Sequence, residues 1–146
     1  MGIAYRCVPE LRCTFVVWDR EVTPDEWRGH IDRLVADPAF PPGSLMVADL
    51  RAAGGAPSIT TDVIGEIANR LNVETEKLGG IQIAVIPNGA WEKALQLLDR
   101  DLSIPGLRAI VFAIASTAFT WLGLDARASE DILDDLRAEL RRAATT

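Results

Sequence analysis

Apolar residues occur along this chain in two alternating patterns: short continuous runs, and stripes at helical spacing. Runs rich in β-branched and aromatic residues predict five strands. These cover residues 4–8, 11–18, 45–50 and 81–86, and the segment LRAIVFAIAS at 107–116. Because Pro9 and Glu10 separate the first two runs, the chain is expected to open with a β-hairpin.

Between the predicted strands, apolar residues recur at helical spacing, and each of these segments follows a residue that is a good N-cap. In VTPDEW, Thr23 precedes Pro24 and Glu26, which is a capping box with proline at the first helical position. The other predicted caps are Thr60 or Thr61, Asn88, Ser116 and Ser129. The helix that Ser129 opens extends to residue 144, and its apolar stripe is Ile132, Leu133, Leu136 and Leu140.

The order of these elements predicts an α/β fold with one mixed sheet covered by helices. The opening hairpin makes the first pair of strands antiparallel, whereas helical connections make the later strands parallel. The later runs are almost entirely apolar, as in buried parallel strands. We expect one domain over residues 1–125, with residues 126–146 forming an amphipathic helix that packs on this domain or at a dimer interface.

Composition and charge narrow the class of partners. Hydrophobic residues make up 49% of the chain and charged residues 25%, which is typical of a globular domain. The net charge of −6 at pH 7 makes nucleic acid and anionic lipid poor partners. The longest apolar stretch, residues 109–115, is too short to span a membrane, and no signal peptide is visible. A cytoplasmic protein without membrane insertion is therefore expected.

Few residues could support catalysis or bind a metal. Two cysteines and one histidine cannot form a usual zinc site, so no metal or other cofactor is expected. A two-residue turn at Pro9-Glu10 would point Cys7 and Cys13 to opposite faces and exclude a disulfide, although a longer turn could change the register. His30, beside the stripe of its helix, is expected at the surface or at the core boundary. The prediction is a non-catalytic domain, with a minor enzyme using Cys7 or Asp49 as the less favoured hypothesis.

Several short motifs, taken in order, resemble one bacterial family. They are Tyr5, Asp37-Pro38, Gly43, Asp49-Leu50-Arg51, Phe112, Ala118 and Trp121-Leu122. Over residues 4–124 the chain is similar to the STAS-like proteins related to anti-sigma-factor antagonists, the SpoIIAA-like group. The resemblance implies a four- or five-stranded sheet covered by helices. It also implies a protein-binding module, because the named relatives are binding modules switched by phosphorylation.

The stretch VADLRAAGGAPSITTD, residues 47–62, is the main candidate site. It lacks the lysine of a P-loop and the glycine spacing of a dinucleotide site, so nucleotide binding is not expected. The resembling family carries an Asp-Ser-Ser-Gly motif after Asp-Leu. Here Asp49 matches, and Ser58, Thr60 and Thr61 supply hydroxyls, but the motif itself is absent. A glycine–proline turn followed by a threonine N-cap accounts for every residue and is the favoured interpretation, ahead of a regulatory hydroxyl or ligand binding.

Two other features indicate binding surfaces. Trp18 ends its strand beside Asp19 and Arg20, where its ring could line a pocket under the helices or contact a partner. The helix at 129–144 could close the open face of the sheet or form the seam of a homodimer.

The sequence therefore predicts a bacterial STAS-like domain that binds an unidentified regulatory protein, with control by phosphorylation in the loop after the third strand as a further hypothesis. Asp49, Ser58, Thr60 and Thr61 form the surface to test. The alternative is a small-molecule or lipid-binding domain with a pocket between helices and sheet. An internal apolar pocket would favour this alternative, whereas a filled core with an exposed loop would favour the regulatory hypothesis.

Overall fold

The computed structural model describes residues 2–54 and 60–144. Within these ranges the strands are β1 (Ile3–Val8), β2 (Cys13–Arg20), β3 (Leu45–Ala53), β4 (Gln82–Ile86) and β5 (Arg108–Val111). The helices are α1 (Pro24–Ala36), α2 (Thr61–Asn72), α3 (Thr75–Leu78), α4 (Glu92–Asp101), α5 (Ala115–Leu122) and α6 (Ala126–Ala144).

The five strands form one sheet in chain order, from β1 at one edge to β5 at the other. The β1–β2 pair is antiparallel, and the pairs β2–β3, β3–β4 and β4–β5 are parallel. This arrangement confirms the predicted α/β fold with a mixed sheet.

The hairpin turn is longer than two residues. Pro9–Leu11 forms a 3₁₀ turn, and Val8 pairs with Cys13 and Cys7 with Thr14. The longer turn moves the pairing by an even number of residues, so the alternation of faces is preserved. Cys7 packs against the core on one face of the sheet and Cys13 lies in the core on the other, and both thiols are free.

Two layers of helices cover the sheet. Helices α1, α2 and α3 contribute Ile31, Ile67 and Leu78 to the core on one face, and α4 packs against its margin. Helices α5 and α6 cover the opposite face with a core that includes Phe119 and Leu136. The fold thus provides two separate interiors, one on each side of the sheet.

The N-cap predictions are confirmed in part. Thr23 accepts a hydrogen bond from the Glu26 backbone N–H at 3.2 Å, and Asn88 caps the turn before α4. The predicted N-caps at Ser116 and Ser129 are wrong, because both residues lie inside helices. Helix α5 begins directly after Ile114 without a side-chain cap.

Helix α6 begins three residues earlier than expected because Asp125 supplies the cap. The Asp125 carboxylate accepts a hydrogen bond from the Ala128 backbone N–H at 2.8 Å. The stripe residues Leu133, Leu136 and Leu140 are buried against the sheet of the same chain. They could not form a dimer seam without leaving this core. No helix in the described ranges is long and apolar enough to cross a membrane.

Candidate functional site

Asp49 lies in the central strand β3 and is completely buried on the face that α6 covers. Its Oδ1 accepts hydrogen bonds from the Arg51 backbone N–H at 3.0 Å and from Arg51 Nε at 2.9 Å. Its Oδ2 accepts from Arg51 Nη2 at 3.0 Å and from Arg137 Nη1. Burial by itself raises the pKa of Asp49, but the hydrogen bonds and charge of Arg51, together with the charge of Arg137, outweigh it and lower the pKa below its ordinary value.

These contacts join strand β3 to helix α6. Arg51 also donates to Glu130 in α6, with Nη2 at 2.7 Å from the carboxylate. A second link connects Arg141 of α6 to the buried Asp19 carboxylate at 3.4 Å. The described contacts of Asp49 are therefore those of an ion-pair network between strand β3 and helix α6, and its carboxylate has no solvent-facing surface for a ligand.

Two of the candidate hydroxyls lie at the start of α2, which packs on the face of the sheet opposite to Asp49 and α6. Thr60 and Thr61 are exposed at the start of α2, and the Thr60 hydroxyl accepts a hydrogen bond from the Val63 backbone N–H at 3.3 Å. Thr60 is thus the N-cap of α2, and Thr61 is the first helical residue. Ser58 lies outside the described residues.

Replacing Thr60 by alanine is expected to lower the free energy of unfolding by about 1 kcal/mol, because the Val63 N–H loses its acceptor. Thr61→Ala is the matched control, since that hydroxyl does not cap the helix and alanine is a good helix former. Chemical denaturation of both variants measures the difference. Equal stabilities would contradict the capping role of Thr60.

The two thiols differ in burial, since Cys13 is buried and Cys7 is half-buried. Burial raises the pKa of Cys13 to about 12, so this thiol stays protonated at neutral pH. Cys7 accepts a hydrogen bond from the Thr14 hydroxyl at 3.4 Å. His30 was expected near the surface but is only 4% exposed, and its Nδ1 has no hydrogen-bond partner.

An apolar pocket of about 170 Å³ lies between the sheet and the helices of the α1 side. Its floor comes from strands β2, β3 and β4, and its walls come from α1, α2 and α4. Large aliphatic and aromatic side chains form most of the lining, which includes Ile67, Leu98 and Met46. Two alanines also line it, Ala48 on β3 and Ala94 on α4. Small side chains at these two places help to leave the volume unfilled.

Three tryptophans contribute to the pocket lining. Trp18 and Trp91 form an edge-to-face pair with ring centroids 5.2 Å apart, and Trp27 approaches from α1. The indole N–H of Trp91 donates to the Gly54 carbonyl at 2.8 Å, which fixes the ring. Trp18 is half-buried at the pocket, one of the two places that the sequence suggested for it.

Helix α4 is the least buried wall of the pocket. None of its ten residues is buried, although its stripe lines the interior. Leu95 and Leu98 also line a second groove between α4 and β5, together with Val85 and Leu102. The pocket and the groove therefore share these side chains as a common wall beside α4.

Comparisons of the chain with models of protein families, with curated proteins and with solved structures found no match. The site must therefore be interpreted from its own geometry. Sequence patterns identified the apolar stripes that form the pocket but could not show that they enclose a space. The only signals were the density of tryptophan and the two alanines at core-facing positions.

Proposed function

We propose that this domain binds a small apolar molecule in the pocket between the sheet and helices α1, α2 and α4. The observation that carries the proposal is the volume of about 170 Å³ with an almost wholly apolar lining. An apolar cavity of about 150 Å³ in another protein stays dry and binds benzene. The pocket has the size and chemistry for a ligand of that kind.

The unfilled volume has a cost in stability that supports a functional role. The side chains around it forgo the packing contacts that larger residues would make across the same space. Larger side chains at Ala48 and Ala94 would remove that cost, so their absence is best explained by an occupant.

The volume also restricts the size of the ligand. Sites for drug-sized molecules occupy about 300 to 1,000 Å³, which is well above the volume here. A single aromatic ring or a short branched alkyl group matches the pocket better than a long acyl chain. We therefore infer a small-molecule ligand in preference to a lipid.

Toluene is expected to bind with a dissociation constant on the order of 0.1 mM. Burying its seven carbons at about 0.8 kcal/mol each gives a favourable binding free energy of about 5 to 6 kcal/mol, which corresponds to that dissociation constant. At ten times this concentration, binding would stabilise the protein by about 1.4 kcal/mol and raise Tm by about 3 to 6 °C. Thermal unfolding with and without toluene measures the effect.

Ala94→Leu is the variant that tests the location of binding, because the leucine side chain would occupy the pocket. It is expected to abolish the stabilisation by toluene. Ala128→Leu makes the same substitution at an exposed position of α6 and serves as the control. Undiminished stabilisation of Ala94→Leu by toluene would refute binding in this pocket.

Regulation of a protein partner, as in the STAS-like family that the sequence resembles, is the second proposal. The exposed Thr60 hydroxyl at the N-terminus of α2 supports it, because a phosphate is favoured at the positive end of a helix. In this proposal the domain acts without catalysis in a bacterial cytoplasm, and an unidentified partner recognises the α2 end. Phosphopeptide mapping of the protein from its native host tests it, and an unmodified Thr60 and Thr61 would count against it.

A further inference from the structure

His30 is the one titratable side chain among the described residues that line the pocket. It is only 4% exposed, and its Nδ1 atom has no hydrogen-bond partner in the protein. Buried polar atoms in folded proteins almost always have a partner, so each exception requires an explanation. His30 is thus a buried imidazole on the lining of an otherwise apolar pocket, which indicates a ligand that forms a hydrogen bond with this imidazole.

Neighbouring side chains in the described ranges do not form a hydrogen bond with this imidazole. The Tyr5 ring packs edge-to-face on the imidazole, with the two ring centroids 5.6 Å apart. The Tyr5 hydroxyl donates its hydrogen bond to the Asp37 carboxylate at 2.8 Å and not to His30. Burial, reinforced by the charge of Arg33, lowers the pKa of His30 to about 4. The ring is therefore neutral at pH 7, with one nitrogen as donor and the other as acceptor.

We propose that the ligand is a simple phenol or a molecule of similar size with a single hydroxyl group, and that this hydroxyl forms a hydrogen bond with the imidazole of His30. The inference rests on the proposed small-molecule function. A hydroxyl both donates and accepts, so it fits either tautomer of the neutral imidazole. An ionised ligand does not fit, because the pocket lining offers no charge to compensate for its desolvation.

Toluene and phenol provide the test because they have almost the same shape, and the methyl group of toluene is replaced by a hydroxyl group in phenol. The quantity to compare is the ratio of the toluene to the phenol dissociation constant, in the wild-type protein and in His30→Leu. Transfer of each ligand out of water is common to both proteins and cancels in this comparison. We expect the ratio to fall about five- to tenfold in His30→Leu, as for the loss of one hydrogen bond. His30→Gln, which keeps a hydrogen-bonding group, is expected to retain part of the preference for phenol.

A measurement on the wild-type protein covers the case in which the variants do not fold. His30 is the single histidine of the chain, so its ring nitrogens are assigned without ambiguity in a long-range ¹H–¹⁵N spectrum. Phenol is expected to shift a ring-nitrogen resonance of the His30 imidazole, whereas toluene is expected to leave both ring nitrogens almost unchanged.

The outcomes separate this inference from the proposed function. Binding of both ligands, with a preference for phenol that depends on His30 and a shifted ring-nitrogen resonance of the imidazole, supports both. Binding of toluene with no such dependence and no shift overturns the hydroxyl inference and leaves the pocket function standing. If neither ligand binds, the proposed function fails, and the inference fails with it.

Discussion

Replacing Asp49 by alanine is expected to lower the free energy of unfolding by about 3 to 5 kcal/mol. The carboxylate is completely buried and is ion-paired with Arg51 and Arg137. Its removal leaves the Arg137 guanidinium, which is 15% exposed, next to β3 without its buried counter-charge. A loss of this size is a large part of the stability of a domain. Urea unfolding followed by circular dichroism measures it.

Asp134→Ala is the matched control for Asp49→Ala. Asp134 also accepts a hydrogen bond from Arg137, at 2.7 Å, but its side chain is 66% exposed. Exposed ion pairs contribute about 0 to 1 kcal/mol, so this variant is expected to remain close to wild type. If the two variants lost equal stability, the buried ion pairs of Asp49 would not stabilise the contact between α6 and the sheet more than an exposed pair does.

Stability is also expected to fall by about 2 kcal/mol between pH 7.5 and pH 5 because of His30. The pKa of His30 is about 4 in the folded protein, against 6.5 for an exposed histidine. Below pH 6.5 the unfolded chain therefore binds a proton that the folded chain does not bind until about pH 4. The contribution of neutral His30 is complete above pH 6.5 and is lost as the pH falls towards 4.

His30→Leu isolates this effect from other titrations. Asp49 has a lowered pKa, so its contribution is present above its ordinary pKa of 3.8 and is lost only as the pH falls through the lower folded value. Unfolding measured at pH 7.5, 6 and 5 stays above that window. The stability difference between wild type and His30→Leu should change by about 2 kcal/mol across the series. A constant difference would mean that His30 is not a buried neutral residue.

The fold was largely predictable because it follows from local patterns. Apolar runs and stripes placed the strands and most helices, and the Thr23 and Asn88 caps follow from side chains that bond within a few residues. The errors occurred where local signals compete. Ser129 is a good cap in isolation, but Asp125 begins α6 first and leaves the Ser129 hydroxyl buried without a partner.

The candidate site was much less predictable because it depends on contacts between distant parts of the chain. Asp49 lies near the end of the strand predicted at 45–50, but its role depends on Arg137, which lies 88 positions further along the chain. His30 was expected near the surface because a polar residue beside an apolar stripe usually lies there, and only the packing of α1 on the sheet buries it. The pocket itself is a volume that the surrounding side chains do not fill, and no pattern in one segment encodes that.

A toluene titration followed by methyl NMR tests most directly whether the pocket is a binding site. The methyl groups of Met46, Ile67 and Leu98, which line the pocket, are expected to shift and to saturate together. Those of Leu133 and Leu136, in the core on the opposite face of the sheet, are expected to remain in place. The absence of saturable shifts at the pocket methyls, or shifts that occur equally on both faces, would contradict the proposed function.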